Sequence, residues 1–197
     1  MDTIHESSDP QGERACVDSR KLEELLSLAM AINRVAKCFS EDSEDREVCL
    51  EGLRRASEIL RWKLEDIDIT GALQDLEVFL RSPYVYESSY TTSDPIMLKA
   101  RLSSLYRSFN VVERGEMSDH MSVEIEFLSF LLAKIITSTI KNNESECRDS
   151  LKAAHIMIKE HLLNWIPLIK ERISSSKTAK IMEIIENLTR KAENILG

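Results

Sequence analysis

The sequence predicts an all-α protein, a single helical-bundle domain of about seven helices. Three observations lead there. Leu, Ile, Glu, Lys, Ala and Arg dominate the 197 residues, whereas Gly (5) and Pro (4) are few, which is helix-forming composition. Apolar residues recur at three- and four-residue intervals in one segment after another, the spacing that gathers them on one face of a helix. Runs of β-branched residues with period two, the mark of a half-buried strand, are missing. A chain of this length buries a substantial core.

The elements follow in order. Residues 1–17 are polar, contain Asp9-Pro10-Gln11-Gly12, and are expected to be disordered or loosely docked, leaving 18–197 as the helical domain. Asp18 or Ser19 caps a helix to about Phe39, with Leu22, Leu25, Leu26, Ala29, Ile32 and Ala36 inward. The acidic cluster Ser40 to Asp45 ends it and opens a second helix carrying Val48, Leu53, Ala56, Ile59 and Leu60, with negative charge where the helix dipole favours it. A third helix after Thr70 uses Leu73, Leu76, Phe79 and Leu80, and Pro83 ends it. The segment from Ser82 to Asp94 has no helical period and holds three of the four tyrosines, Tyr84, Tyr86 and Tyr90. Asp94-Pro95 then gives a cap followed by Pro in the first turn, with Ile96, Leu98, Leu102, Leu105, Tyr106 and Phe109 inward.

After Gly115 comes the longest apolar helix, to about Ile140, with Ser118 or Asp119 as cap and Ile125, Leu128, Leu131, Leu132, Ile135 and Ile136 on its buried stripe. Asn143 and Glu146 form a cap with an acid at the reciprocal position, opening a helix through Leu151, Ala154, Ile158, Leu162 and Trp165 that Pro167 kinks or ends. A last helix from about Ser176 carries Ile181, Ile184, Ile185, Leu188, Ala192 and Ile195.

Charge and cysteine narrow the function. The net charge is −8, and it lies in the first hundred residues, where 21 acids face 12 bases. A nucleic-acid binder carries the opposite sign, so no nucleic-acid partner is expected. Cys16, Cys38, Cys49 and Cys147 are scattered without a C-x-x-C and read as buried or idle thiols in a reducing cytosol. The polar, acidic start lacks a signal peptide, and the run Ile125 to Ile140 is broken by Glu126 and Lys134, short of a membrane span. A cytoplasmic protein without stable membrane insertion is expected.

The titratable residues concentrate at the start of the long helix. Asp119 and His120 stand at its mouth; His120 and Glu124 are four apart and share a face, and the carboxylates are expected to serve binding rather than folding. His161 and Trp165 are likewise four apart, just before Pro167. Phosphate-binding Gly loops, G-x-S-x-G and H-E-x-x-H are missing. One reading is a small helical metal- or acid–base-dependent enzyme using Asp119, His120, Glu124 and His161, although no local motif brings those ligands together.

A second reading comes from the order of the motifs. Pro83-Tyr84, Tyr86-Glu87-Ser88 and Tyr90, then Asp119-His120 with Glu124-Ile125-Glu126-Phe127-Leu128, then His161-Leu162 with Trp165 and Pro167, resemble the TorD/DmsD/NarJ group of cytoplasmic, all-helical chaperones for molybdenum-cofactor oxidoreductases. Met117-Ser118 replaces the Pro often found before Asp-His, and Met157-Ile158 the group's aromatic-aliphatic pair. The resemblance implies no catalysis and no cofactor of its own. It implies binding, as monomer or homodimer, to an apo molybdopterin oxidoreductase catalytic subunit and its leader peptide, assisting cofactor insertion and delaying twin-arginine export. Peptide-binding residues would be Tyr84, Tyr86, Glu87, Asp119, His120, Glu124, His161 and Trp165, with carboxylates meeting arginines and aromatics meeting the apolar stretch.

Overall fold

A computed structural model describes residues 16–40, 45–63, 68–91, 94–112, 118–173 and 175–197. Eight α-helical segments are present among them: α1 (Leu22–Ala36), α2 (Asp45–Leu60), α3 (Ile69–Leu80), α4 (Pro95–Ser108), α5 (Met121–Ile140), α6 (Glu144–Ile156), α7 (Leu163–Arg172) and α8 (Ser176–Leu196). A π-helical stretch, Met157–Leu162, joins α6 to α7 without a break, so seven rods form the bundle and the all-α expectation holds. Among the described residues the one β-type pairing is a single bridge between Tyr86 and His120. No helix among them is long and apolar enough to cross a membrane.

The caps are legible residue by residue. Asp18, Asp68, Asp94, Asn143 and Ser175 each accept a backbone N–H in the first turn of the following helix, satisfying donors that otherwise have no partner. At the other ends, Arg61, Asn110 and Asn142 take positive φ (56°, 59° and 52°). The next amides reach back five residues, from Trp62 to Ser57, Val111 to Tyr106 and Asn143 to Ser138, which closes α2, α4 and α5 with Schellman turns.

Helix α5 is the axis. It is buried on most of its circumference, through Ile125, Phe127, Leu128, Leu131, Leu132 and Ile135, as a helix apolar all round must be. It packs between α1 and α6, while α2 covers the far side of α1 and α8 lies along α7, α3, α1 and α2. The Ser129 hydroxyl donates to the Ala29 carbonyl at 3.0 Å, a contact that requires the α1 and α5 backbones to run close. Gly52 serves the α1–α2 contact in the same way: a Cβ there would stand 2.7 Å from the Arg34 carbonyl carbon.

Several expectations need correction. Leu26, Val48 and Ile96, expected inward, are exposed; Val48 and Ile96 lie in the first turns of their helices and Leu26 lies one position past the buried Leu25 on α1. Pro167 does not end its helix; it sits inside α7, which runs on to Arg172. The π-helical stretch precedes it, with the Leu163 amide reaching back five residues to the Ile158 carbonyl. The cysteines are not idle thiols: Cys16 pairs with Cys147 and Cys38 with Cys49. The loosely docked terminus expected over 1–17 lies mostly outside the described residues, but Val17 is buried and Cys16 is tied to α6.

Candidate functional site

The Tyr-rich segment between α3 and α4 is neither helix nor open loop. Ser82 caps a 3-10 turn at Pro83–Val85, and a second follows at Glu87–Ser89. Between them Tyr86 is extended and meets His120, so that the Glu87 amide donates to the Asp119 carbonyl at 2.9 Å and the Ser88 amide to Asp119 Oδ2 at 3.2 Å. The segment is thereby pinned to the start of α5.

That pinning decides the cap of α5. Neither Ser118 nor Asp119 caps it. The Ser118 hydroxyl donates to the Lys99 carbonyl (3.1 Å) and its own carbonyl accepts from the Tyr106 hydroxyl (2.8 Å), while Asp119 is engaged by Ser88 and lies 3.7 Å from the Lys99 ammonium. His120 takes the role instead, its Nδ1 accepting from the Ser122 amide at 3.2 Å and lying 2.8 Å from the Ser122 hydroxyl. Accepting at Nδ1 leaves the neutral ring's proton on Nε2. The ring stands edge-on to Tyr86, with centroids 5.1 Å apart.

Behind this corner lies a buried polar cluster. His161, delivered by the π-helical stretch, places Nδ1 2.8 Å from Glu87 Oε2. One turn on, the Trp165 indole N–H donates to Glu124 Oε2 at 3.1 Å. The i,i+4 pair His161/Trp165 thus meets Glu87 of the Tyr segment and Glu124 of α5. Burial pushes the Glu124 carboxyl well above the usual carboxylate range; the neighbouring Glu87 charge adds to this, the Trp165 N–H opposes it, and Asp119 adds further.

The eight residues anticipated from the sequence do converge, but not as an open mouth. Glu87, Asp119, His120, Glu124, His161 and Trp165 are all buried, with Asp119, Glu124 and Trp165 wholly so. The expectation that Asp119, His120 and Glu124 sit off the buried part of the helix is overturned, because the Tyr segment and α7 close over them. Tyr84, 40% exposed, and the half-buried Tyr86 are the members that meet solvent. Tyr84 and Tyr90 form an aromatic lip, ring centroids 6.4 Å apart, with the Tyr90 hydroxyl donating to the Tyr84 carbonyl at 3.1 Å. Tyr90 also leans on Trp165 at 5.6 Å, and burial pushes its phenol up to about 12. The Arg172 guanidinium lies over both rings, 5.6 Å from Tyr84 and 5.0 Å from Tyr90.

Two participants were not anticipated: Arg172 above the lip and Ser122 beneath His120. Tyr90 had a signal in the Tyr-rich composition, whereas Arg172 had none, since only folding brings the end of α7 over residues 84–90. The metal set imagined from His120, Glu124 and His161 is also rearranged. The donors lying within 4.8 Å of one another are Glu87, Glu124 and His161, because His120 turns its Nδ1 into the cap. On the other side of Ser122 a cleft of about 480 Å³ opens between α1 and α5, lined by Lys37, Val111, Val123, Glu126, Phe127 and Phe130 among others.

Residues 77–171 match the family model described as nitrate reductase delta subunit. The matched stretch runs from α3 to α7 and carries all eight residues anticipated from the sequence, while Arg172 lies just beyond it. No curated protein and no solved structure matches the chain. The nitrate reductase delta family serves molybdoenzyme maturation as chaperones, not catalysts. The match, over slightly less than half of the chain, supports the redox enzyme maturation group that the motifs resemble, without singling out its TorD or DmsD branch.

Proposed function

We propose that this protein is a chaperone that binds the leader or N-terminal region of an apo molybdopterin oxidoreductase subunit in the cytoplasm, holds the subunit open for cofactor insertion, and delays its twin-arginine export. The observation that carries the reading is the lip. Tyr84 and Tyr90 already seat one guanidinium, that of Arg172, and an arginine over an aromatic face is stabilised by the ring quadrupole. A leader arginine would take the place of Arg172. Tyr86 extends the contact, and the cleft beside Ser122 offers Val123, Phe127 and Phe130 to the leader's apolar stretch.

In this reading the six buried residues position the surface instead of touching the peptide. Glu87 and Asp119 hold the Tyr segment, His120 caps α5, and Glu124, His161 and Trp165 lock α7 against it. The acid-rich first half of the chain supplies a long-range field for a basic leader.

Titration calorimetry with a twin-arginine leader peptide tests it. Binding should weaken as salt is raised, though less steeply than for a nucleic-acid binder, since the aromatic contacts are not screened. Tyr84→Ala should weaken binding several-fold without moving the melting temperature, because a partly exposed side chain contributes little to the core. Absence of binding by the parent, or full-strength binding by the variant, refutes the proposed lip.

A further inference from the structure

We propose that Glu87, Glu124 and His161 form a binding site for one divalent transition-metal ion of the zinc class. Three elements far apart in sequence deliver the donors: the second 3-10 turn, the first turn of α5 and the π-helical stretch. Their ligand atoms all lie within 4.8 Å of one another, and all three residues are buried. Bonds of about 2.0–2.2 Å to one ion bring such donors roughly 3–4 Å apart, close to the spacing found here.

The second observation is the meeting of two buried carboxyls. Glu124 is wholly buried; its Oε2 accepts from Trp165, its Oε1 meets no N–H or hydroxyl donor among the described residues, and its carboxyl otherwise meets that of Glu87. Two buried carboxyls in contact hold either a shared proton or a cation between them, and a cation there supplies the partner that Oε1 lacks. The surroundings orient the donors as outer partners of a metal site do: the Trp165 N–H fixes the Glu124 carboxyl, and the Glu87 amide is anchored on the Asp119 carbonyl. One imidazole with two carboxylates suits zinc and its neighbours, whereas magnesium and calcium favour all-oxygen shells. The ion would cross-tie the Tyr segment, α5 and the α6–α7 rod, a structural role that leader binding neither requires nor excludes.

The test uses the untagged full-length chain stripped with chelator and titrated with zinc chloride, then with magnesium chloride as control. About one zinc ion per chain should bind, raise the melting temperature, and be matched by no magnesium binding. Glu87→Gln and Glu124→Gln should each weaken zinc binding at least about tenfold and abolish the thermal shift, with circular dichroism confirming the helical fold. Should Glu87→Gln fail to fold, Glu124→Gln decides alone. Absence of zinc binding by the parent overturns the site. Unchanged affinity in the folded variants also overturns it, by placing the ion on other residues such as His5 or His155.

Discussion

At the scale of single residues, Trp165 separates packing from hydrogen bonding. Its indole is wholly buried, leans on Tyr90, and donates to Glu124, so one side chain joins the aromatic lip to the polar cluster. Trp165→Phe keeps an aromatic ring in the core but removes the donor, leaving both oxygens of a buried carboxyl without this partner. The expected cost is about 1–3 kcal/mol for the orphaned group, plus a smaller amount for the lost ring volume. Thermal unfolding of the variant measures it. A melting temperature equal to the parent's would show that the Trp165–Glu124 bond contributes nothing. The helical spacing that puts Trp165 in line with Ile158 and Leu162 is therefore right about burial and silent about this bond, because periodicity reports which face a side chain occupies and not what its polar atom meets.

At the scale of elements, helices were readable because their signals are local. Asp18, Asp94 and Asn143 cap where their short oxygens and the following apolar periods place them, and the α5 stripe is buried as its spacing requires. The cap of α5 was misplaced for a tertiary reason: Ser118 and Asp119 are better cap formers than histidine, but Lys99, Tyr106 and Ser88 engage them first. The depth of the site was hidden for the same reason, since sequence spacing put His120 and Glu124 on one face without showing what covers it. The π-helical stretch left no pattern at all. The α1–α2 contact gives the prediction at this scale. A Cβ on Gly52 would lie 2.7 Å from Arg34 backbone and side-chain carbons and 2.8 Å from the Val35 amide nitrogen, and a helix backbone cannot yield locally. Gly52→Ala, which would favour an isolated helix by roughly 1 kcal/mol, should instead destabilise the protein by about 1–3 kcal/mol through overpacking. Denaturant unfolding reads the sign directly.

At the scale of the whole molecule, the two disulfides set a prediction in which the order of effects matters as much as their size. Cys16–Cys147 spans 131 residues and ties the segment before α1 to α6, whereas Cys38–Cys49 spans 11 and closes the α1–α2 connection. If a cross-link acts mainly by limiting the unfolded chain, the longer loop contributes more, about 4–5 kcal/mol against about 3 kcal/mol. Cys16→Ser should therefore lower the midpoint of unfolding further than Cys38→Ser, and full reduction should exceed either. The cysteines' scatter gave no hint of this, because pairing across such separations depends on where α6 and the α2 start come to rest. Intact mass before and after reduction establishes whether the bonds form in the isolated protein, and denaturant melts of the oxidised parent, the reduced parent and the two variants then give the order. Equal losses would show that native-state packing, not chain entropy, governs the contribution. No loss on reduction would mean that the helical core alone carries the fold.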